Sequence, residues 1–240
     1  MGKFYNSFHS NIRIQTKVIS ENNFTYRNTI GILDPLIKAK KLKILDYGCG
    51  VGTIDFYLAS KGHKVVGQEI SVKALRMCKN SAKAIGVFGN VKFVGINKKS
   101  NTKFDVVVCS EVIEHVPEDM KLLEKLIISL KRNGFLVVSV PSVNAPLYKL
   151  KLAKKFDRKV GHLRRYNSSQ LIKKLKNSNL RIVKVEKVEG ILRNSLFLYP
   201  RLGWIIRFLR GPLSDMVTFF DNLLVKLFGE SNIYIIAQKK

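Results

Sequence analysis

The sequence predicts a doubly wound α/β fold, and three observations carry that prediction. From Lys43 to Pro141, short runs rich in Val and Ile alternate with amphipathic segments, the pattern of consecutive βαβ units. Runs such as FDVVVC and FLVVSV are apolar nearly throughout, as parallel strands covered on both faces must be. The first run opens into a glycine-rich turn followed by a helical pattern. At 240 residues the chain suits one domain with a proper core.

The elements follow in order. Residues 1–40 form a mixed N-terminal cap of helical character, in which Asp34–Pro35 breaks or restarts a helix. The core spans 41–190. LKILDYG is a strand, TIDFYLASKG a helix ending at Gly62, HKVVGQEI a strand, and SVKALRMCKNSAKAIG a helix with Ser71 as N-cap. NVKFVG and KFDVVVC are strands, DMKLLEKLIISLKRNG a helix stopped by Asn133–Gly134, and FLVVSVP a strand. A basic stretch, a helix around SSQLIKKLKNSN and the strand LRIVKVEKV come next. An apolar helical insertion (191–229) and a last strand (231–238, NIYIIAQ) complete the chain, which shows no internal repeat.

Lys and Arg number 43 against 17 Asp and Glu, a formal charge of +26. Unless it is spread over solvated faces, such a surplus draws anions: nucleic acid, acidic lipid headgroups or phosphorylated substrates. Twelve of the basic residues lie between Leu147 and Arg181, where Asp157 is the one acid. Three cysteines, Cys49, Cys78 and Cys109, with no secretory signal, set a reducing, cytoplasmic compartment as the expectation. No run reaches the roughly 18 apolar residues of a spanning helix, which leaves contact with a membrane surface open.

ILDYGCGVG, residues 44–52, carries glycines at 48, 50 and 52, which let the backbone bend and approach a ligand without a Cβ in the way. A dinucleotide site would place its third glycine at 53, where Thr53 stands, and here an acid, Asp46, precedes the first glycine. Glu69 closes the next strand, where an acid can accept hydrogen bonds from both ribose hydroxyls of a nucleoside.

From Ile44 to Pro141 the sequence resembles the class I S-adenosylmethionine-dependent methyltransferases. DYGCGVG is similar to their D-x-G-x-G-x-G motif, VVGQEIS to their second, acid-bearing strand, and FDVVVCSEVIEHV to their fourth strand. The resemblance implies a Rossmann-like, seven-stranded sheet, mostly parallel with an antiparallel last strand, and S-adenosylmethionine as cofactor. It implies that Asp46, Gly48 and Gly50 hold the methionine end, in a loop that also contributes Cys49 and Gly52, and that Glu69 holds the ribose. Asn97, where the family often has an acid, would pair with the adenine amine. The backbone around Cys109 and Ser110 would line the methyl-transfer site, and Arg27 would reach the cofactor carboxylate from an N-terminal helix.

CSEVIEHVPED, residues 109–119, places Glu111, Glu114 and His115 at i, i+3 and i+4, one face of a helix. Methyl transfer from a sulfonium is an in-line displacement with an excellent leaving group, so the enzyme must position the acceptor and help remove its proton. His115, with a reference pKa of about 6.5, suits a general base. Alternatively the two carboxylates and the imidazole hold a divalent cation such as Mg2+, a Lewis acid at the acceptor oxygen, with His162 in GHLRRYNSSQL as a further ligand. A third reading makes Glu114 and His115 the polar face and dipole partners of a helix start. E-x-x-E-H with a downstream histidine is similar to two subgroups, the ubiquinone-pathway O-methyltransferases and the small-RNA 3′-terminal 2′-O-methyltransferases. Matched residue by residue, that resemblance implies Glu111, Glu114, His115 and His162 as cation ligands at the acceptor hydroxyl. His9 and His63 read as polar-stretch and turn residues, and Cys49 as packed instead of reactive.

In the insertion, Leu202, Ile205, Ile206, Leu209 and Leu213 have helical spacing, as do Met216, Phe220, Leu223, Leu224 and Leu227. Trp204 and the arginines at 193, 201, 207 and 210 interrupt the apolar run. The segment suits a bilayer interface, a lid over a greasy substrate, or a hairpin packed on the core or a second subunit. The expected function is O-methylation of a small, lipid-like or quinone-like hydroxyl acceptor, with peripheral contact to anionic membrane. Charge also favours an RNA 2′-O-methyltransferase, against which stand the apolar insertion and the lack of an aromatic stacking platform among the basic residues. A membrane-surface binding module without catalysis is a further alternative, opposed by the intact glycine turn and acid cluster.

Overall fold

The structure, a computed structural model, describes residues 13–38, 41–98, 101–199, 202, 204–209 and 211–240; His9, Arg201 and Arg210 lie outside these. The first half comprises α1 (Arg27–Ile37), β1 (Lys43–Tyr47), α2 (Thr53–Ser60), β2 (Lys64–Glu69), α3 (Val72–Ile85), β3 (Val91–Gly95) and β4 (Phe104–Ser110). A 3-10 turn (Ile113–His115), α4 (Asp119–Ile128), β5 (Leu130–Pro141), α5 (Pro146–Lys149), α6 (Lys154–Val160) and α7 (Ser168–Asn177) follow. Then come β6 (Leu180–Val188), α8 (Ile191–Leu198), a second 3-10 turn (Ile205–Arg207), α9 (Gly211–Phe228) and β7 (Asn232–Lys239).

The strands form one seven-stranded sheet in the order β3-β2-β1-β4-β5-β7-β6. The pairs from β3 through to β5 are parallel, and β7 runs antiparallel to both of its neighbours. Strand order reverses between β1 and β4, so the connections leaving these neighbours depart to opposite faces and open a crevice at their carboxyl ends. Each face carries its own core, as the pleat requires: Ile44 packs in one layer and Leu45 in the other, Val108 in one and Val107 in the other.

Local chemistry sets the boundaries. The Ser71 hydroxyl accepts from the Ala74 amide at 3.2 Å and caps α3, as expected, and Asn167 with Gln170 forms a reciprocal capping box at the start of α7. Pro35 neither breaks nor restarts α1; it sits in the last turn, where the exposed Gly31 carbonyl it leaves without a partner can face water. Helix α4 ends at Ile128, well before Asn133–Gly134. Ser129 donates its hydroxyl to the Lys125 carbonyl, and its own carbonyl accepts from Phe104, so the chain enters the sheet at Leu130. Asn133 then takes a φ of 60° within β5, where the register with β4 shifts.

The insertion also differs from its sequence pattern. Ile205, Ile206 and Leu213 do not share one helix: a 3-10 turn (Ile205–Arg207) and a separate helix starting at Gly211–Pro212 hold them, since proline fits a first helical turn but cannot continue a preceding one. Arg193 is not a surface flank. It is fully buried, its guanidinium 4.3 Å from the centre of the Phe24 ring and donating to the Phe24 carbonyl at 2.7 Å. Ser71→Ala removes the cap of α3 and should lower stability by about 1 kcal/mol, a melting-point drop of roughly 2–4 °C by calorimetry.

Candidate active site

The turn after β1 is built on glycine. Gly48, Gly50 and Gly52 have φ of 83°, 53° and 76°, in the left-handed region. At Gly48 the absence of a side chain is obligatory, because a Cβ there would lie 2.4 Å from Cγ2 of Val112. The turn is held to β2 by two amides, of Gly48 and Cys49, which both donate to the Gln68 carbonyl at 2.7 and 3.1 Å.

Glu69 fastens the other side. One carboxylate oxygen accepts from the Gly50 amide at 3.0 Å and the other from the Ser71 amide at 2.8 Å. The group is buried, and each oxygen keeps a further lone pair for a ligand hydroxyl. Beneath the turn, Asp46 and Asp55 are both buried. Loss of hydration pushes the Asp46 carboxyl up to about 7, and burial followed by the charge of Asp46 raises Asp55 well above the usual carboxylate range. Asp55 has no donor for either oxygen among the described residues, so a proton shared with Asp46 is what satisfies the pair.

At the end of β4 the chain makes a tighter bend than the sequence spacing suggests. Glu111 takes a φ of 54° and the following turn is 3-10, so Glu111 does not share a helical face with Glu114 and His115. It remains exposed, and its carboxylate accepts from the Ser139 hydroxyl and the Asn232 amide, both at 3.0 Å. Glu114 points inward and is fully buried, and neither of its oxygens meets a hydrogen-bond donor among the described residues. Burial, reinforced by Glu111, raises its pKa well above the usual carboxylate range.

Two imidazoles face Glu114. The Nε2 atoms of His115 and His162 lie 3.7 and 3.8 Å from Glu114 Oε1, with ring centres 4.8 Å apart. Each ring is oriented through its other nitrogen: His115 Nδ1 meets the Gly161 carbonyl at 3.1 Å, and His162 Nδ1 meets Asp157 Oδ1 at 2.9 Å. Donation from Nδ1 leaves an Nε2 lone pair on each ring directed at the carboxylate. Asp157 is in turn clamped by Arg165 through two bonds, at 2.9 and 2.6 Å. Burial alone would raise Asp157, but hydrogen bonds from His162 and Arg165 bring it down to about 2. The Leu163 amide, donating to the Glu114 carbonyl at 2.9 Å, ties the His162 loop to the 3-10 turn.

Ligand atoms of Glu114, His115 and His162 thus all lie within 4.8 Å of one another, the geometry of a cation site; Glu111 lies outside that group. The remaining predicted residues divide. Asp46, Gly48, Cys49, Gly50, Gly52 and Glu69 come together around the first turn. Cys109 is buried at the end of β4, and the Ser110 hydroxyl meets that of Ser139 at 2.7 Å. Asn97 is exposed in the turn after β3. Arg27 does not approach the glycine turn in the contacts it makes; its guanidinium holds Ser214, Asp215 and Thr218 of α9. His63 is buried and accepts from the Leu42 amide. Sequence reasoning missed Asp55, Asp157, Arg165, Ser139 and Asn232 as supports. Only Asp157 carried a signal, as the lone acid in a basic stretch.

This sheet order, with a glycine turn and an acid at the switch point, is that of a Rossmann-like methyltransferase domain. The chain belongs to the methyltransferase domain family, whose model matches residues 25–185. Its relatives include the ubiquinone biosynthesis O-methyltransferases of Rickettsia canadensis, 38% identical over 100 residues (41% of this chain, 42% of the relative), and of Paracidovorax citrulli, 28% identical over 125 residues (50% and 52%). The chain spans about half the length of the curated relatives it matches. Among solved structures it resembles a Haemonchus contortus phosphoethanolamine N-methyltransferase bound to S-adenosylmethionine (TM-score 0.69, 17% identity, 99% of this chain and 56% of that one). It also resembles the magnesium protoporphyrin IX methyltransferase of Synechocystis (TM-score 0.63, 16% identity, 99% and 94%).

The Asp46–Asp55 pair makes a pH-dependent contribution of definite sign. Asp46 keeps its proton in the folded chain up to about 7 but releases it near 3.8 when unfolded, so this contribution to stability falls as pH rises through that window. Asp55→Asn supplies an amide donor to Asp46 and removes the repulsion. Urea midpoints of the wild type, measured against that variant, should decline between roughly pH 4 and 7.

Proposed function

We propose that the protein transfers a methyl group from S-adenosylmethionine to a hydroxyl on a small, lipid-like or quinone-like acceptor, at a site that binds a divalent cation. The observation that carries this reading is the fully buried Glu114 carboxylate, without a donor among the described residues and facing the Nε2 atoms of two oriented histidines. A buried carboxylate left so is costly unless a proton or a cation meets it. Two imidazole nitrogens and one carboxylate suit a borderline ion such as Zn2+, Mn2+ or Fe2+ better than the all-oxygen shell Mg2+ prefers, which narrows the expectation of Mg2+. When bound, the ion would act as a Lewis acid on the acceptor oxygen.

The residues of the chain do the rest. Glu69 offers its remaining lone pairs to the ribose hydroxyls, while the glycine amides and Asp46 shape the seat of the methionine end. Because Val112 rests against Gly48, the turn bearing Glu114 and His115 lies directly beside that seat. Loss of hydration lowers His115, so its ring is neutral at pH 7, and its Nε2 lone pair serves either to hold the ion or, with no ion there, to take the acceptor proton. Oxygen is favoured over nitrogen as acceptor, since a hydroxyl needs such help and a free amine does not. The names of the curated relatives agree with this choice.

Glu69→Gln should weaken binding of S-adenosylhomocysteine by about tenfold or more in calorimetry, and unchanged affinity would remove Glu69 from the ribose site. Glu114→Gln should lower turnover about 100-fold or more, keep affinity for S-adenosylhomocysteine, and abolish binding of Zn2+ or Mn2+. If a chelator leaves wild-type turnover intact, the cation drops out and His115 alone remains as base. Labelled methyl transfer into fractionated cell extract should mark the lipid fraction; label in RNA would replace the acceptor named here.

A further inference from the structure

Helix α9 is amphipathic in the inverse sense for a surface helix. Its buried line is polar: Ser214, Thr218 and Asp221 lie at i, i+4 and i+7 and face the protein. Arg27 donates to the two hydroxyls at 3.0 and 3.1 Å, and Asp221 accepts from the amides of Gly190, Leu192 and Arg193 at the start of α8, at 2.8 to 3.1 Å. The opposite side presents Met216, Phe219, Phe220, Leu223 and Leu227, each at least half exposed. Just before the helix, Trp204 and Phe208 stack edge to face at 5.8 Å, and both stand in solvent. A contiguous apolar face of this kind marks an interaction site.

The charges around it identify the partner. At the end of α9, Lys149, Lys187 and Lys226 line one shallow depression together with Leu227, Phe228 and two acids, Glu186 and Glu230, the latter 3.9 Å from Lys187. Helix α8, which α9 packs against, also packs against α5, and Leu147, Ala153 and Leu198 bury together beneath them. The strongly basic stretch from Lys149 to Lys159 is therefore continuous with the apolar face, and it exposes Leu150 and Leu152 among its lysines. An apolar row edged by lysines and a tryptophan fits the boundary between acyl chains and phosphates. No helix among the described residues is long and apolar enough to cross a membrane, so the fit is to a surface. A second copy of the chain is disfavoured by charge, because each copy carries a surplus of +26 and pairing through this face would bring the basic edges together.

We infer that α9 and the adjoining basic stretch form a docking face for an anionic lipid bilayer, with α9 lying in the plane of the surface. This inference stands independently of the acceptor proposed above. Of the roles the insertion left open, it takes the bilayer interface. The polar line is what makes the arrangement possible: it anchors α9 to α1 and α8 through hydrogen bonds and leaves the apolar side outward.

The test is flotation of the full chain with vesicles of phosphatidylcholine alone, or mixed with phosphatidylglycerol, at low and high salt. Two double variants at exposed positions separate the contributions, Phe219→Glu with Phe220→Glu, and Lys154→Glu with Lys155→Glu. Unchanged affinity for S-adenosylhomocysteine shows that each is folded. The wild type should float with the anionic vesicles and less with the neutral ones. Each double variant should partition at least about tenfold less, the first by loss of apolar burial and the second by loss of charge attraction. Absence of flotation with anionic vesicles, or equal flotation of the phenylalanine variant, would overturn the inference. So would a lipid-free dimer, seen by light scattering, that the phenylalanine variant converts to monomer.

Discussion

The contact between Gly48 and Val112 is the constraint on which the site depends. It brings the turn after β1 against the turn after β4 with no room for a side chain between them. Parallel pairing of β1 with β4 delivers the two turns to the same edge of the sheet, and the reversal of strand order there keeps the helices that follow from filling the space. One turn presents amides, with the Glu69 carboxylate of β2 fastened to it; the other presents Glu114 and His115. Their separation is set by the pairing of β1 with β4 and by the stiff, β-branched Val112 side chain resting on the Gly48 backbone.

Around this contact the polar groups fall into two kinds. The His162–Asp157–Arg165 chain is fully bonded, and a complete network of charged hydrogen bonds rigidifies what it holds. Glu114 and Asp55 are buried carboxyl groups whose oxygens meet no amide, hydroxyl or cationic donor among the described residues. Such groups are rare because desolvating them is costly. Asp55 resolves the cost by sharing a proton with Asp46. Glu114 stands between two imidazole nitrogens, where a cation or a proton in transit would be stabilised. Bonded and unbonded groups thus have separate work: the first orient the rings, and the second supplies the chemistry.

The insertion shows the same division on a larger scale. Asp221 accepts three amide hydrogens at the start of α8, contacts of about 1.5–3 kcal/mol each when the acceptor is charged, and Arg27 bridges from α1. These bonds hold the helix in place without using its hydrophobic side, which is then available for another surface. In an ordinary surface helix burial of the apolar stripe supplies the anchoring, and nothing greasy remains.

Much of this was legible in the sequence, because the signals were local. Alternating strand and helix periods, Ser71 as a cap, the glycine turn and the acid ending β2 depend on residues within a few positions of each other. Element ends were less legible: α4 stops at Ile128 because Phe104, distant in sequence, offers a pairing edge. The spacing of Glu111, Glu114 and His115 suggested one helical face, but the left-handed Glu111 and the 3-10 turn turned the first carboxylate toward Ser139 and Asn232. His162 could be nominated from sequence, whereas its support by Asp157 and Arg165 could not. The sequence by itself determined the strands, the glycine bend and the stock of acids and imidazoles, since these follow from periodicity and residue chemistry. Only the tertiary structure decided which carboxylate faces the histidines and which side of α9 meets the solvent, because both depend on partners brought together by the sheet from far along the chain.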